Sequence, residues 1–119
     1  CAVSSLVVSL DTEYKLRSTV DQLLRSATSV GANLEEAKAA SSFLKYVQIS
    51  LRESREAIYW IRICAELEIG PEAELRDLRG EGDQIARILG AIVVSTKRRM
   101  LAGYAVFAFC ILNFALLLS

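Results

Sequence analysis

Histidine is absent from this chain, which removes the usual proton shuttle near neutral pH, histidine-activated nucleophiles and the usual zinc sites. The three cysteines, Cys1, Cys64 and Cys110, are far apart and include no CxxC pair, so no disulfide framework is expected. Cys64 reads instead as a small core hydrophobe, and the pattern suits a reducing compartment. With one proline, six glycines and apolar residues recurring near every 3.6 positions, the chain belongs to the all-α class. Net charge is missing too. The 14 basic residues balance the 14 acidic ones, which argues against a uniformly basic nucleic-acid binder. Charge is also unevenly placed, since none lies beyond Arg99.

What is present reads as four helices in residues 1–99, followed by an apolar segment, 100–119. The first helix carries Val3, Leu6, Val7 and Leu10 on one face. That stripe is already running at Cys1, so a start upstream is expected; a lipidated Cys1 would need a cleavable signal that is not visible. Ser18-Thr19-Val20-Asp21 resembles a capping box and predicts the start of a second helix. Its apolar face is Val20, Leu23/Leu24, Ala27, Val30/Gly31, Leu34 and Ala37. Gly31 costs about 1 kcal/mol there against Ala, and a close helix–helix approach is the expected compensation. Ser41 and Ser42 are placed to cap the third helix, 42–67.

That third helix has two adjoining stripes. One is Leu44, Val47, Leu51, Ser54, Ile58, Ile61 and Ala65; the other is Phe43, Tyr46, Ser50, Ala57, Trp60, Cys64 and Leu67. A bundle helix usually needs one apolar face. The second stripe therefore predicts an oligomer interface through Phe43, Tyr46, Ser50, Ala57, Trp60 and Cys64. Gly70-Pro71 separates the third helix from a fourth, where Glu72–Arg76 and Asp83–Arg87 have i, i+4 spacing. Gly80 and Gly82 are expected to loosen the start of that helix before Ile85, Ile88, Leu89 and Ile92 resume the stripe. Short connections between the four predict an antiparallel up-and-down four-helix bundle.

Polar residues inside these stripes need partners. Glu35, Glu36, Glu53 and Glu56 raise the question of a carboxylate metal site, but such sites in bundles pair Glu-x-x-His motifs, and histidine is missing. Ser26, Thr28 and Ser29 lack a histidine base that would make any of them a nucleophile. The simpler expectation is a structural network of Arg25, Asn33, Glu35, Glu53 and Glu56 that fixes bundle register. No catalytic residue, cofactor or metal is expected, and the chain is not expected to be an enzyme.

The run Gln22-Leu23-Leu24-Arg25-Ser26-Ala27-Thr28-Ser29-Val30-Gly31-Ala32-Asn33-Leu34-Glu35-Glu36-Ala37 resembles the four helix bundle protein family. That family was first noticed as products of intervening sequences in bacterial large-subunit ribosomal RNA genes. The resemblance continues through residues 49–61, Ile49-Ser50-Leu51-Arg52-Glu53-Ser54-Arg55-Glu56-Ala57-Ile58-Tyr59-Trp60-Ile61, and ends between Ile88-Leu89 and Lys97. It implies a non-enzymatic bundle that assembles as a homopentamer. A related branch, the accessory variability protein of diversity-generating retroelements, binds a reverse transcriptase and nucleic acid, which makes either a conceivable partner. That branch is strongly basic, and this chain is not. The family pattern also lacks the apolar segment after Arg99.

At about 1.5 Å per residue, the segment 100–119 spans about 30 Å, the thickness of a bilayer core. Lys97, Arg98 and Arg99 precede it, so the positive-inside rule places the bundle in the cytoplasm with the segment in the inner membrane. Asn113 is its one strongly polar side chain, read equally as tolerated polarity or as an interhelical hydrogen-bonding residue. Burial of the segment in a larger assembly is the alternative. The bundle topology also gathers Lys38, Lys45, Lys97, Arg98 and Arg99 at one end. Glu66, Glu68, Glu72, Glu74, Asp77, Glu81 and Asp83 collect at the other. A basic end suits an anionic leaflet, although helix-terminus preferences produce part of the same pattern. The leading expectation is a membrane-anchored, self-associating scaffold. The alternatives are a nucleic-acid or reverse-transcriptase accessory protein and, further off, a membrane pore.

Overall fold

The computed structural model describes residues 2–119, with side chains described from Thr12 onward. It contains three helices, α1 (Ala2–Ala39), α2 (Phe43–Glu66) and α3 (Glu72–Leu118), and no strand among the described residues. The all-α class therefore holds, but the chain does not form four separate helices. The predicted first and second helices are one, and so are the predicted fourth helix and the apolar segment. The Cys1 terminus and the side chains of Val3, Leu6, Val7 and Leu10 lie outside the described residues.

Both mergers have a local cause. A capping box marks a helix start only where the chain turns, and residues 12–22 contain neither Gly nor Pro to turn it. Thr19 lies mid-helix, where its hydroxyl donates to the Lys15 carbonyl at 2.9 Å. Gly80 and Gly82 likewise do not interrupt α3. A Cβ at Gly82 would lie 3.0 Å from Ile58 Cγ1, so the missing side chain is what lets α3 approach α2.

The three helices run up, down and up, with α2 in the middle. It packs against both neighbours, whereas α1 and α3 bring no described Cα atoms within 8 Å of each other. The core is correspondingly thin. Near the α1–α2 turn, Ala37, Val47, Leu51, Leu89 and Val93 are buried together. Near the α2–α3 turn, Ile61, Cys64 and Leu75 form a second cluster with Leu23 and Ile69 against it. Beyond these clusters the long helices overhang in opposite directions, giving extents of 91 × 27 × 21 Å.

The central position of α2 accounts for its two apolar stripes. Ser50 donates to the Val30 carbonyl of α1 at 3.0 Å, while Ile58 meets Gly82 of α3. Ser50, Ala57 and Cys64, expected at a subunit interface, are buried within the chain itself. Ser26 and Ser50, both 0% exposed, allow α1 and α2 to come close. Their hydroxyls find backbone carbonyls, as Ser26 donates to Gln22 at 2.9 Å and Ser54 to Leu51 at 2.7 Å. Gly31 does not play the expected part. A Cβ there would meet nothing within 4 Å, because the residue sits on the flank of α1 rather than against α2.

The turns differ in construction. Ser42 occupies the N-cap of α2, but its side chain makes no cap hydrogen bond; its carbonyl accepts from Tyr46 N at 3.4 Å. The end of α2 is a Schellman motif. Ile69 N–H donates to the Cys64 carbonyl at 2.8 Å and Glu68 N–H to Ala65 at 3.2 Å, with Glu68 left-handed at φ 55°. Gly70 follows at φ 86°, where an L side chain is strained. Pro71 then enters α3 in an extended conformation one residue before the first turn.

Candidate functional site

Three features stand out: an ion cluster between α1 and α2, an apolar groove, and the exposed C-terminal part of α3. The cluster centres on Arg25. Its guanidinium reaches Glu53 at 3.4 Å and hydrogen-bonds Glu56, and its Nε donates to Gln22 at 3.3 Å. Trp60 Nε1 donates to the same Glu56 oxygen at 3.3 Å and stacks edge-on against Tyr59. The hydrogen bond from Arg25, followed by that from Trp60, holds the Glu56 carboxyl below its ordinary value. The Arg25 guanidinium is raised, chiefly by the hydrogen bond to Glu56.

Arg25 retains 47% of its side-chain exposure and Glu53 15%, so the cluster is a wetted clamp across one flank rather than a buried network. Two expected members stand apart. Asn33 donates to the Ser29 carbonyl of its own helix at 2.8 Å, and Glu35 pairs with Lys38 at 2.9 Å. Gln22 and Trp60 take part instead, and their i−3 spacing from Arg25 and i+4 spacing from Glu56 is the sequence signal that points to them. Of the two predicted pairs on α3, Glu72–Arg76 forms at 3.4 Å, and Asp83–Arg87 does not form among the described residues.

The groove opens on the other flank of α2, between α1 and α3, with a volume of about 450 Å³. Leu23, Ala27 and Gly31 line one wall, Ala57 and Ile61 the floor, and Leu78, Gly82 and Ile85 the far wall. Among the described residues, its one charged lining residue is Glu81. Ile85 and Ile88, expected on the bundle stripe, are instead exposed, because α3 turns Leu75, Leu89 and Val93 toward α2. The groove occupies the place where a four-helix bundle would hold a further helix. Phe43 is 44% exposed, and Tyr46 and Trp60 are half-buried, so these aromatic members of the expected interface keep free surface. Burial pushes the Cys64 thiol up.

The segment 100–119 has every residue exposed. α3 is long and apolar enough to cross a membrane, and its apolar stretch is unburied among the described residues. Asn113 Nδ2 donates to the Phe109 carbonyl at 2.8 Å, one turn earlier in the same helix. Lys97, Arg98 and Arg99 lie exposed just before the segment, and Lys38 and Lys45 are exposed at the same end, beside the α1–α2 turn.

Together these features define a small antiparallel helical protein whose last helix continues unbroken into an apolar terminal extension. The chain belongs to the 23S rRNA-intervening sequence protein family, whose model matches residues 2–91. It is similar in fold to a Bacteroides thetaiotaomicron protein of unknown function from the S23 ribosomal protein family, known from a crystal structure. That similarity has a TM-score of 0.61 at 31% identity and covers 63% of this chain and 72% of the other. Among curated proteins, none matches this sequence. The family match ends before Lys97 and the apolar segment.

Proposed function

We propose that this protein is a non-enzymatic, self-associating helical scaffold held at a membrane by residues 100–119. The observation that carries this reading is the unburied apolar end of α3, which continues without a break from the packed domain and follows Lys97-Arg98-Arg99. In water such a segment exposes far more contiguous apolar surface than a soluble monomer tolerates, and a bilayer removes it. The basic end at Lys38, Lys45 and Lys97–Arg99 faces the same way, toward an anionic leaflet, with the bundle in the cytoplasm. Alkaline carbonate extraction of membranes carrying the full chain tests this. Retention in the membrane pellet is expected, together with release of a chain ending at Arg99; release of the full chain overturns the anchor.

Self-association draws its support from the open groove. A further helix laid between α1 and α3 completes four-helix packing, and a copy of this chain supplies helices of matching apolar surface. The family resemblance points to a pentamer. The mass of the detergent-solubilised chain by light scattering checks it, and a monomer refutes it.

A second reading follows from the family's name and from the basic end, where Lys38, Lys45, Lys97, Arg98 and Arg99 gather. There the protein contacts ribosomal or other RNA through phosphates. Such binding must weaken steeply with salt, and no binding at low salt refutes it.

A further inference from the structure

We propose that residues 100–119 pair within the membrane with the same segment of a second copy, through the face bearing Gly103, Val106, Cys110 and Asn113. The inference rests on the membrane-spanning reading above and adds a partner and a contact face to it. It begins with Asn113. A carboxamide offers two donors and an acceptor, and the Phe109 carbonyl takes only one donor. The remaining N–H and Oδ1 find no partner among the described residues. At about 1.5 Å per residue, Asn113 lies about 20 Å beyond Arg99, inside the hydrocarbon, where water does not satisfy them.

The partner needed must present a donor and an acceptor at that same depth. A second copy does so by construction. Its Lys97-Arg98-Arg99 sets the same orientation, so its Asn113 arrives at the same depth. Adjacent carboxamides are complementary in partial charge, the Nδ2–H of one copy meeting the Oδ1 of the next, an arrangement that a ring of copies also closes. The neighbouring positions permit the approach. Gly103, Val106, Cys110 and Asn113 follow alternating spacings of three and four, the seam of two parallel helices, and two of them are small.

The same face continues into the folded domain. At about 100° per residue, Ile88 falls within about 20° of Asn113, whereas Ile85 and Leu78 lie about 80° and 100° round from it, on the edge of the same face that carries Gly103 and Cys110. These residues are left exposed beside the groove. A second copy meeting α3 along this side therefore covers unpartnered surface both in the domain and in the membrane.

Cys110 is a native reporter. The full chain, with Cys1→Ser and Cys64→Ser, is reconstituted at high lipid-to-protein ratio, checked by carbonate extraction, and oxidised with copper phenanthroline. The expected result is a disulfide-linked dimer through Cys110, since that bond demands a Cα separation of roughly 6 Å. Moving the cysteine to the opposite face (Cys110→Ser with Ala108→Cys) should lower the dimer yield at least tenfold. Asn113→Leu should lower the Cys110 yield comparably, and Asn113→Gln, which keeps the carboxamide, should restore most of it. Retention in the membrane with equal yields from both faces, or with Asn113→Leu unchanged, overturns the pairing and leaves the anchor standing. Extraction of the chain by carbonate overturns both.

Discussion

Gly31 offers a sharp test of whether the groove is open within one chain, before a second copy covers it. It lies inside α1, with its Cα on the groove wall, and a Cβ added there meets nothing within 4 Å. In a helix interior, Gly is worse than Ala by about 0.8–1.0 kcal/mol, mostly through the entropy of the unfolded chain. Gly31→Ala should therefore stabilise the fold by nearly that amount, with no steric loss to offset it. Gly82→Ala is the internal control. It gains the same propensity but drives its methyl to 3.0 Å from Ile58 Cγ1, in the middle of the α2–α3 contact. Overpacking of that kind costs about 1–3 kcal/mol, so Gly82→Ala should be neutral or destabilising. Urea unfolding of the full chain in mild detergent, followed by circular dichroism, reads both variants. In a domain of this size, 1 kcal/mol corresponds to about 4–8 °C in a parallel thermal melt. If Gly31→Ala destabilises the monomeric, dilute chain by 1 kcal/mol or more, Gly31 is packed against its own chain and the open-groove reasoning fails. If the two variants behave alike, the placement of Gly82 against Ile58 is wrong.

Glu68 is left-handed without being glycine, so Glu68→Gly should stabilise by about 0.5–1 kcal/mol in the same urea assay; a loss would show that its side chain contributes more than its backbone costs. Leu89→Ala, at a residue 3% exposed in the upper core, should cost about 2–4 kcal/mol, and a cost under 1 kcal/mol would mean that this cluster is not the core. The Arg25 hydrogen bond lowers the Glu56 carboxyl from its ordinary 4.5, so its contribution is present above that pH and lost as the pH falls through the folded value. Wild type should therefore exceed Glu56→Gln in urea midpoint at pH 7, with the gap closing toward pH 3, and a gap independent of pH would refute the pairing. One alanine inserted after Met100 turns the terminal face by about 100° relative to the domain, so Cys110 cross-linking should fall, whereas a seven-residue insertion should restore it.

The helical class, the α2 boundaries and the turn at Gly70-Pro71 were legible because periodicity and breakers agree there. The number of helices was not. Ser18-Thr19-Val20-Asp21 has the composition of a cap, but capping chemistry is permissive: the same hydroxyl that closes a helix end can bond back to a carbonyl one turn earlier, as Thr19 does. The two stripes of α2 were read correctly from spacing, yet spacing does not say what covers them. A middle helix in a three-helix layer and an edge helix in an oligomer show the same pattern. In the polar set, Arg25, Glu53 and Glu56 come together because 25 and 53–56 face each other across the α1–α2 antiparallel pair. Asn33 and Glu35, pointing elsewhere round α1, do not. The groove was illegible for a related reason, since it depends on α1 and α3 standing apart, and no local signal encodes that distance.

The continuity of α3 ties these observations together. A flexible joint at Arg99 would let an anchor hold the domain without constraining how it meets its neighbours. A single helix from Glu72 to Leu118 contains no such joint. Under the proposed span, its rotation in the membrane would set the rotation of the wall bearing Ile85 and Ile88, and the side exposed by the groove would adjoin the side on which Asn113 seeks a partner. Sequestering α3 within the layer would have covered Ile85 and Ile88 but left Asn113 unanswered. Leaving one side of the layer open allows a second copy to satisfy both demands along the same line. On the proposed reading, the missing fourth helix and the extra terminal segment are one feature: a surface left unfinished in the chain, continuous with a segment that would bring identical chains together at the same depth and orientation.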